Sequence, residues 1–142
     1  MKRPLALLAL GAALSACGFV GGASASPIGG LEGTSWTLVE IDGRAPAGDA
    51  VPTLAFDEAG NVSGSAGCNT YTAVAATEGN TIALGPLSTT RMACSGATGL
   101  QETAFLTALG EVETYAIDSQ GRLVLEDGVV LVFAPAEEAP AS

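Results

Sequence analysis

Three cysteines, Cys17, Cys68 and Cys94, are the most reactive side chains in this sequence. Thiols attack carbon, bind zinc or cycle between dithiol and disulfide, and the rest of the composition narrows that list. The chain has no histidine, and Lys2 is its single lysine. Without histidine no Ser-His-Asp triad or Cys-His pair can be assembled. A Ser-Lys dyad or a Schiff-base lysine would depend on residue 2 alone. Zinc sites of the usual kinds lack ligands once two of the cysteines are paired. Cys68 and Cys94 do not have the C-x-x-C spacing that depresses a thiol pKa, so a redox couple is the weaker reading of them and a structural disulfide the stronger. The 15 acidic residues leave carboxylate-only chemistry open, as in glycoside hydrolysis, but no pair of them stands out. Asp57, Glu58 and Asn61 offer oxygen ligands that calcium would accept, although DEAGN (57–61) reads more simply as a turn. The residue inventory points away from an enzyme and calls for no metal and no cofactor.

The first residues belong to export and not to a fold. Lys2 and Arg3 precede an apolar run, Pro4 to Leu14. It is shorter than the roughly 20 residues a membrane span needs and has the length of a signal-peptide core. LSAC, Leu14 to Cys17, resembles a bacterial lipobox, which implies cleavage before Cys17 and a diacylglycerol on its thiol. A competing small-x-small site, Ala23 to Ala25, would release a soluble secreted or periplasmic protein. The apolar run ends at Cys17, which favours the lipobox. Residues 1–16 then read as the lipoprotein signal peptide and 17–30 as a flexible tether. Gly18 stands where some inner-membrane lipoproteins have aspartate, which favours the outer membrane facing the periplasm. Cysteine parity agrees. With Cys17 acylated, Cys68 and Cys94 remain to pair in an oxidising compartment.

Removing residues 1–16 leaves Arg44, Arg91 and Arg122 against 15 acidic residues, and the formal charge moves from −10 to −12. Nucleic acid is excluded as a partner, because binding it rests on cations meeting phosphates. An anionic bilayer reached through a basic patch is excluded for the same reason. A lipid anchor needs no basic surface. The acidity serves solubility and would also attract a basic protein or peptide. A monomer is expected.

Residues 31–134 read as one β-rich domain, and 135–142, PAEEAPAS, as a disordered tail. Short strand-like runs recur: SWTLVEI (35–41), TLAFD (53–57), VSGSA and YTAVA around the Gly67–Asn69 corner, then TIAL and LSTT. In RLVLEDGVVLVF, Asp127-Gly128 between apolar runs predicts a type I′ hairpin. A two-residue loop would pair Glu126 with Val129 and place Leu123, Leu125, Val130 and Val132 on one face. Thr98-x-x-Gln101 fits a capping box opening a helix over about 98–109. Phe105, Ala108 and Leu109 then share a face, and Gly110 is placed to end the helix in the left-handed conformation. The sum is a β-rich α+β fold: a small antiparallel, strongly curved sheet or partly open barrel with one α-helix.

Several blocks, in order, resemble the META domain family, the HslJ-like heat-shock lipoproteins of bacteria. They are LEGTSWTL (31–38), LAFDEAGNVSGSAGCNTY (54–71), STTRMAC (88–94) and ETAFLTAL (102–109), followed by the terminal hairpin. One departure is visible: Thr72-Ala73-Val74 follows Tyr71, where the family often has a glycine. The resemblance covers nearly all of 31–134. It implies a small β-rich fold with one helix, an envelope location and a part in stress or antibiotic tolerance, and supplies no catalytic reaction. The GCN and MAC blocks match it at Cys68 and Cys94, and together with ETAFLTAL these blocks carry Gly64, Gly67, Asn69, Tyr71, Arg91, Met92 and Glu102 as its motif positions. Gly64 and Gly67 suit positive φ or close backbone approach, and Asn69 suits a tight turn. Arg91 and Glu102 read equally as a half-buried pair or as two solvated charges, and Trp36 reads as core or barrel end.

The functional expectation is a non-catalytic, lipid-anchored envelope protein acting through protein or small-ligand binding. Two alternatives accompany it. One is an inhibitor of a cationic envelope-attacking enzyme such as a lysozyme. The other is an assembly factor holding a peptide, which a deep apolar cleft between helix and sheet would favour.

Overall fold

The computed structural model describes residues 29–47 and 50–136. The signal peptide, the lipidation site Cys17 and most of the tether lie outside the described residues. Nine strands and one helix follow in chain order: β1 (Ser35–Ile41), β2 (Thr53–Phe56), β3 (Asn61–Ser65), β4 (Thr70–Glu78), β5 (Thr81–Leu84), β6 (Ser88–Thr89), α1 (Gly96–Gly110), β7 (Thr114–Ile117), β8 (Leu123–Asp127) and β9 (Val129–Pro135).

Antiparallel pairing runs β3-β2-β1-β9-β8-β7-β5-β4, and β4 pairs back with β3, so eight strands close a barrel. Closure removes the exposed edges of an open sheet. The two-residue β6 continues the line of β5 along β4, with Tyr71 opposite Thr89 and Thr72 opposite Ser88. The thinnest seam joins β5 to β7 through Thr81 and Thr114, flanked by Ile82 N–H to Glu113 O and Tyr115 N–H to Asn80 O.

Alternating residues fill the barrel: Leu38, Leu54, Val62, Tyr71, Leu123, Leu125, Leu131 and Phe133 are all fully buried. This two-residue period is what a strand with one interior face requires. Ala73 and Ala75 point inward from β4. Phe105 on α1 is also fully buried and meets Tyr71 and Phe133 edge-on, at centroid distances of 5.9 and 6.2 Å.

Strand direction sorts the loops. Residues 29–34, the turns at 57–60, 79–80 and 118–122, and the end of β9 lie at one end, called here the entry end. The β1–β2 loop, the β3–β4 corner, α1 and the Gly128 turn lie at the other, the helix end.

Four local expectations need correction. The helix begins at Gly96, with Ser95 extended (φ −121°, ψ 175°) as its cap and no side-chain capping bond. Thr98 is therefore inside the first turn and the capping box does not form. Glu111, at φ −114°, caps the other end, and Gly110 is not left-handed. In the final hairpin Asp127 pairs with Val129 across Gly128 alone. Gly128 has φ 78° but Asp127 is not in the positive region, whereas a type I′ turn needs both. A one-residue change of register exchanges faces, so Leu131 and Phe133, and not Val130 and Val132, join Leu123 and Leu125 inside. Lastly, Pro135 pairs with Trp36, so the sheet extends one residue beyond the expected domain boundary.

Candidate functional site

The polar residues of the GCN and MAC blocks meet in one knot at the helix end. Glu102, on the buried face of α1 and only 8% exposed, accepts three hydrogen bonds: from Cys68 N–H (3.2 Å), Asn69 N–H (2.6 Å) and Asn69 Nδ2 (2.9 Å). The Asn69 amide also donates to Met92 O (3.1 Å), while its Oδ1 accepts from Thr90 Oγ1 (2.8 Å) and Met92 N–H (2.6 Å). Two donors and two acceptors exhaust what an asparagine side chain can offer. The β3–β4 corner, the β6–α1 loop and the helix are thereby tied at a single residue.

Burial pushes the Glu102 carboxyl up, but the backbone N–H and amide of Asn69 and the N–H of Cys68 outweigh it and hold the group below the usual carboxylate range. Arg91 is exposed and takes no part, so the half-buried ion pair does not form. Met92 contributes backbone only, its side chain being 60% exposed.

A disulfide between Cys68 and Cys94 braces the same loops, with the two Cα atoms 6.3 Å apart. In the chain-entropy account, closing this 26-residue separation is worth about 3.5 kcal/mol. The two sulfurs and the Glu102 carboxylate lie within 4.8 Å of one another. As a metal site this cluster is disfavoured, because the sulfurs are bonded to each other and the carboxylate already accepts three hydrogen bonds. As a redox site it is disfavoured, because a neighbouring carboxylate opposes thiolate formation.

Close packing around the knot explains two glycines. Gly67 has φ 121° at the corner itself. A Cβ on Gly64 would collide with the Thr53 carbonyl and lie 2.9 Å from the Tyr71 hydroxyl. That hydroxyl donates to Thr53 O at 2.6 Å, and burial pushes the phenol far above its ordinary pKa. Asp57 accepts from Ala59 N–H, Asn61 N–H and Asn61 Nδ2, which is the geometry of a turn. Trp36, 7% exposed, sits at the entry end of the barrel with its indole N–H on Thr34 Oγ1 at 2.8 Å.

The second feature of the helix end is open to solvent. Between α1 and the β1–β2 loop runs a groove of about 460 Å³. Seven of its ten lining residues are apolar: Ile41, Ala45, Ala47, Ala97, Leu100, Ala104 and Val129, the others being Asp42, Arg44 and Gln101. Leu100 is 77% exposed. Gln101 accepts from the Ala47 N–H through Oε1, while its Nε2 is buried with no acceptor among the described residues. None of these residues was singled out from the sequence as a binding residue. The available signal was Leu100, an apolar residue off the Phe105 stripe. Grooves of similar volume elsewhere, one beside Asp57 and Ser88 and one beside Thr77 and Glu113, have more polar walls.

The META domain family model matches residues 29–138. The chain belongs to the META domain family. Among solved structures, this META domain is similar to the NMR structure of a protein from Burkholderia xenovorans. That match has 30% identity and a TM-score of 0.59, over 74% of this chain and 83% of the other. A second NMR structure, 20% identical, covers 78% and 95% of the two chains with a TM-score of 0.63. A DUF4847 family protein from Bacteroides vulgatus, 17% identical, covers 73% and 93% with a TM-score of 0.55. The last two support the META fold alone. No curated protein matches the chain.

Proposed function

We propose that this META domain is the folded part of an HslJ-like, lipid-anchored envelope protein that supports stress or antibiotic tolerance by binding and not by catalysis. The observation that carries this reading is the contrast at the helix end. The polar groups with chemical potential are consumed in the Asn69–Glu102–disulfide knot, while the apolar groove beside them stays open. Such concave, mostly apolar sites with a few polar groups suit ligand binding, and their usual volumes are about 300–1,000 Å³. The groove between helix and barrel favours the peptide-holding alternative over inhibition of a lysozyme, for which only the net charge speaks.

Anchorage fits the topology. The described chain enters at the end opposite the groove, so a lipid on Cys17 need not obstruct it. The test is complementation of a deletion strain under envelope stress. The wild-type gene should restore survival. Cys17→Ser, which cannot be acylated, and Ala104→Arg, which fills the groove from an exposed helix position, should not. Full rescue by both variants would end the reading.

A further inference from the structure

We infer that the helix-end groove binds an uncharged, apolar peptide segment, in preference to a fatty acid or a cationic amphiphile; this inference rests on the binding reading above.

The wall supplies the first argument. Ile41, Ala97, Leu100, Ala104 and Val129 present apolar surface on both sides of the groove. Small alanines on the helix leave room for the side chains of a guest.

The rim supplies the second. Among the described residues it carries one anion and one cation, Asp42 and Arg44, both exposed. Their positions are fixed by backbone bonds: Ile41 N–H to Arg44 O (2.8 Å), Arg44 N–H to Ile41 O (3.1 Å) and Asp42 N–H to Val130 O (2.7 Å). A fatty-acid site would set cations alone around the carboxylate, and a cationic guest would be met by acids alone. A balanced pair suits a guest that offers donors and acceptors together, as a peptide main chain does.

The third argument is the orphan amide. Gln101 is held by its Oε1 on Ala47 N–H, while its Nε2 is buried and has no acceptor among the described residues. A buried donor left unpaired is destabilising, and native proteins rarely keep one without a use. A ligand carbonyl that slightly parts the Ala47 segment from α1 supplies the missing acceptor.

The experiment is an NMR titration of the 15N-labelled full chain carrying Cys17→Ser. Two probes are compared at equal concentration, the capped tetrapeptide acetyl-Ala-Val-Leu-Ala-amide and sodium decanoate. The peptide should move the Gln101 side-chain amide and the Ala47 and Ala104 signals to saturation, while decanoate leaves them in place. Ala104→Arg, and separately Leu100→Lys, should weaken the peptide on the order of tenfold, about 1.4 kcal/mol. The backbone signals of Cys68 and Asn69 should stay where they are, as a check that each variant is folded. Equal or tighter binding of decanoate, no saturable shift with the peptide, or peptide binding untouched by both variants overturns the peptide assignment. The broader binding reading falls separately, through full rescue in the complementation test.

Discussion

Replacing Glu102 with glutamine changes one atom of the knot and should unbalance all of it. The carboxylate accepts from three donors, two of them main-chain N–H groups on consecutive residues. In Glu102→Gln the remaining oxygen can keep Cys68 and Asn69 N–H. The new amino group then faces Asn69 Nδ2, donor against donor. Asn69 cannot flip to relieve this, because its Oδ1 is committed to Thr90 and Met92. One hydrogen bond is lost outright, and the others lose their charge assistance, which roughly doubles the strength of such a bond. With about 1.5–3 kcal/mol for a bond to a charged group against about 1 for a neutral one, the loss should be at least about 2.5 kcal/mol. For a domain of this size that lowers Tm by roughly 10–20 °C. Urea unfolding followed by fluorescence of Trp36, the single tryptophan and a buried one, measures the difference directly. The pH dependence supplies a second reading. A carboxyl whose pKa is lowered on folding stabilises fully above its unfolded value, here 4.5, and loses that contribution as pH falls through the folded value. The gap between wild type and variant should therefore be largest near neutral pH and close in acid. Asp57 and Asp118 also have lowered pKa values, but they are unchanged in the variant and cancel in the comparison. Equal stability at pH 7, or a gap that persists unchanged into strong acid, would refute the assignment of Glu102 as the buried acceptor of the knot.

Three further outcomes follow from the same geometry. The double variant Cys68→Ala/Cys94→Ala should lose about 3.5 kcal/mol in urea unfolding under oxidising conditions, and reduction of the wild type should approach the same value. Gly64→Ala forces a methyl group onto the Thr53 carbonyl and the Tyr71 hydroxyl, and should cost at least the roughly 1–3 kcal/mol typical of overpacking, read as a lower urea midpoint. Cys17→Ser should move the protein from the membrane to the soluble fraction on cell fractionation; wild type found soluble would place cleavage after Ala25 instead.

Much of the barrel was legible because its strands alternate and its turns are marked. The expected face of α1 was also right, since Phe105, Ala108 and Leu109 are all buried. What was not legible depended on distance or on a single dihedral. Asp-Gly marked the last hairpin, but whether Asp127 itself turns depends on φ at that residue, and the answer moved the register by one. Glu102 invited pairing with a charge, and Arg91 was the candidate. The structure satisfied it with neutral amides 33 and 34 residues away, which no local pattern signals. The groove draws its walls from Ile41–Ala47, Ala97–Ala104 and Val129, three segments brought together only by closure of the barrel. Gln101 shows the cost of local reading most plainly: a capping box was the available explanation for it, and its side chain is instead bonded to Ala47, 54 residues away.

Site-specific photo-crosslinking in living cells tests the central claim most directly, that the domain is anchored at its entry end and binds through its helix end. A diazirine analogue of leucine placed at Leu100 reports on the groove, and the same residue placed at Ser119 reports on the entry-end turn. The account predicts a discrete polypeptide adduct from position 100, lost when Ala104→Arg is added, and none from position 119. Phospholipid adducts from position 100, or the same adducts from both positions, would contradict it.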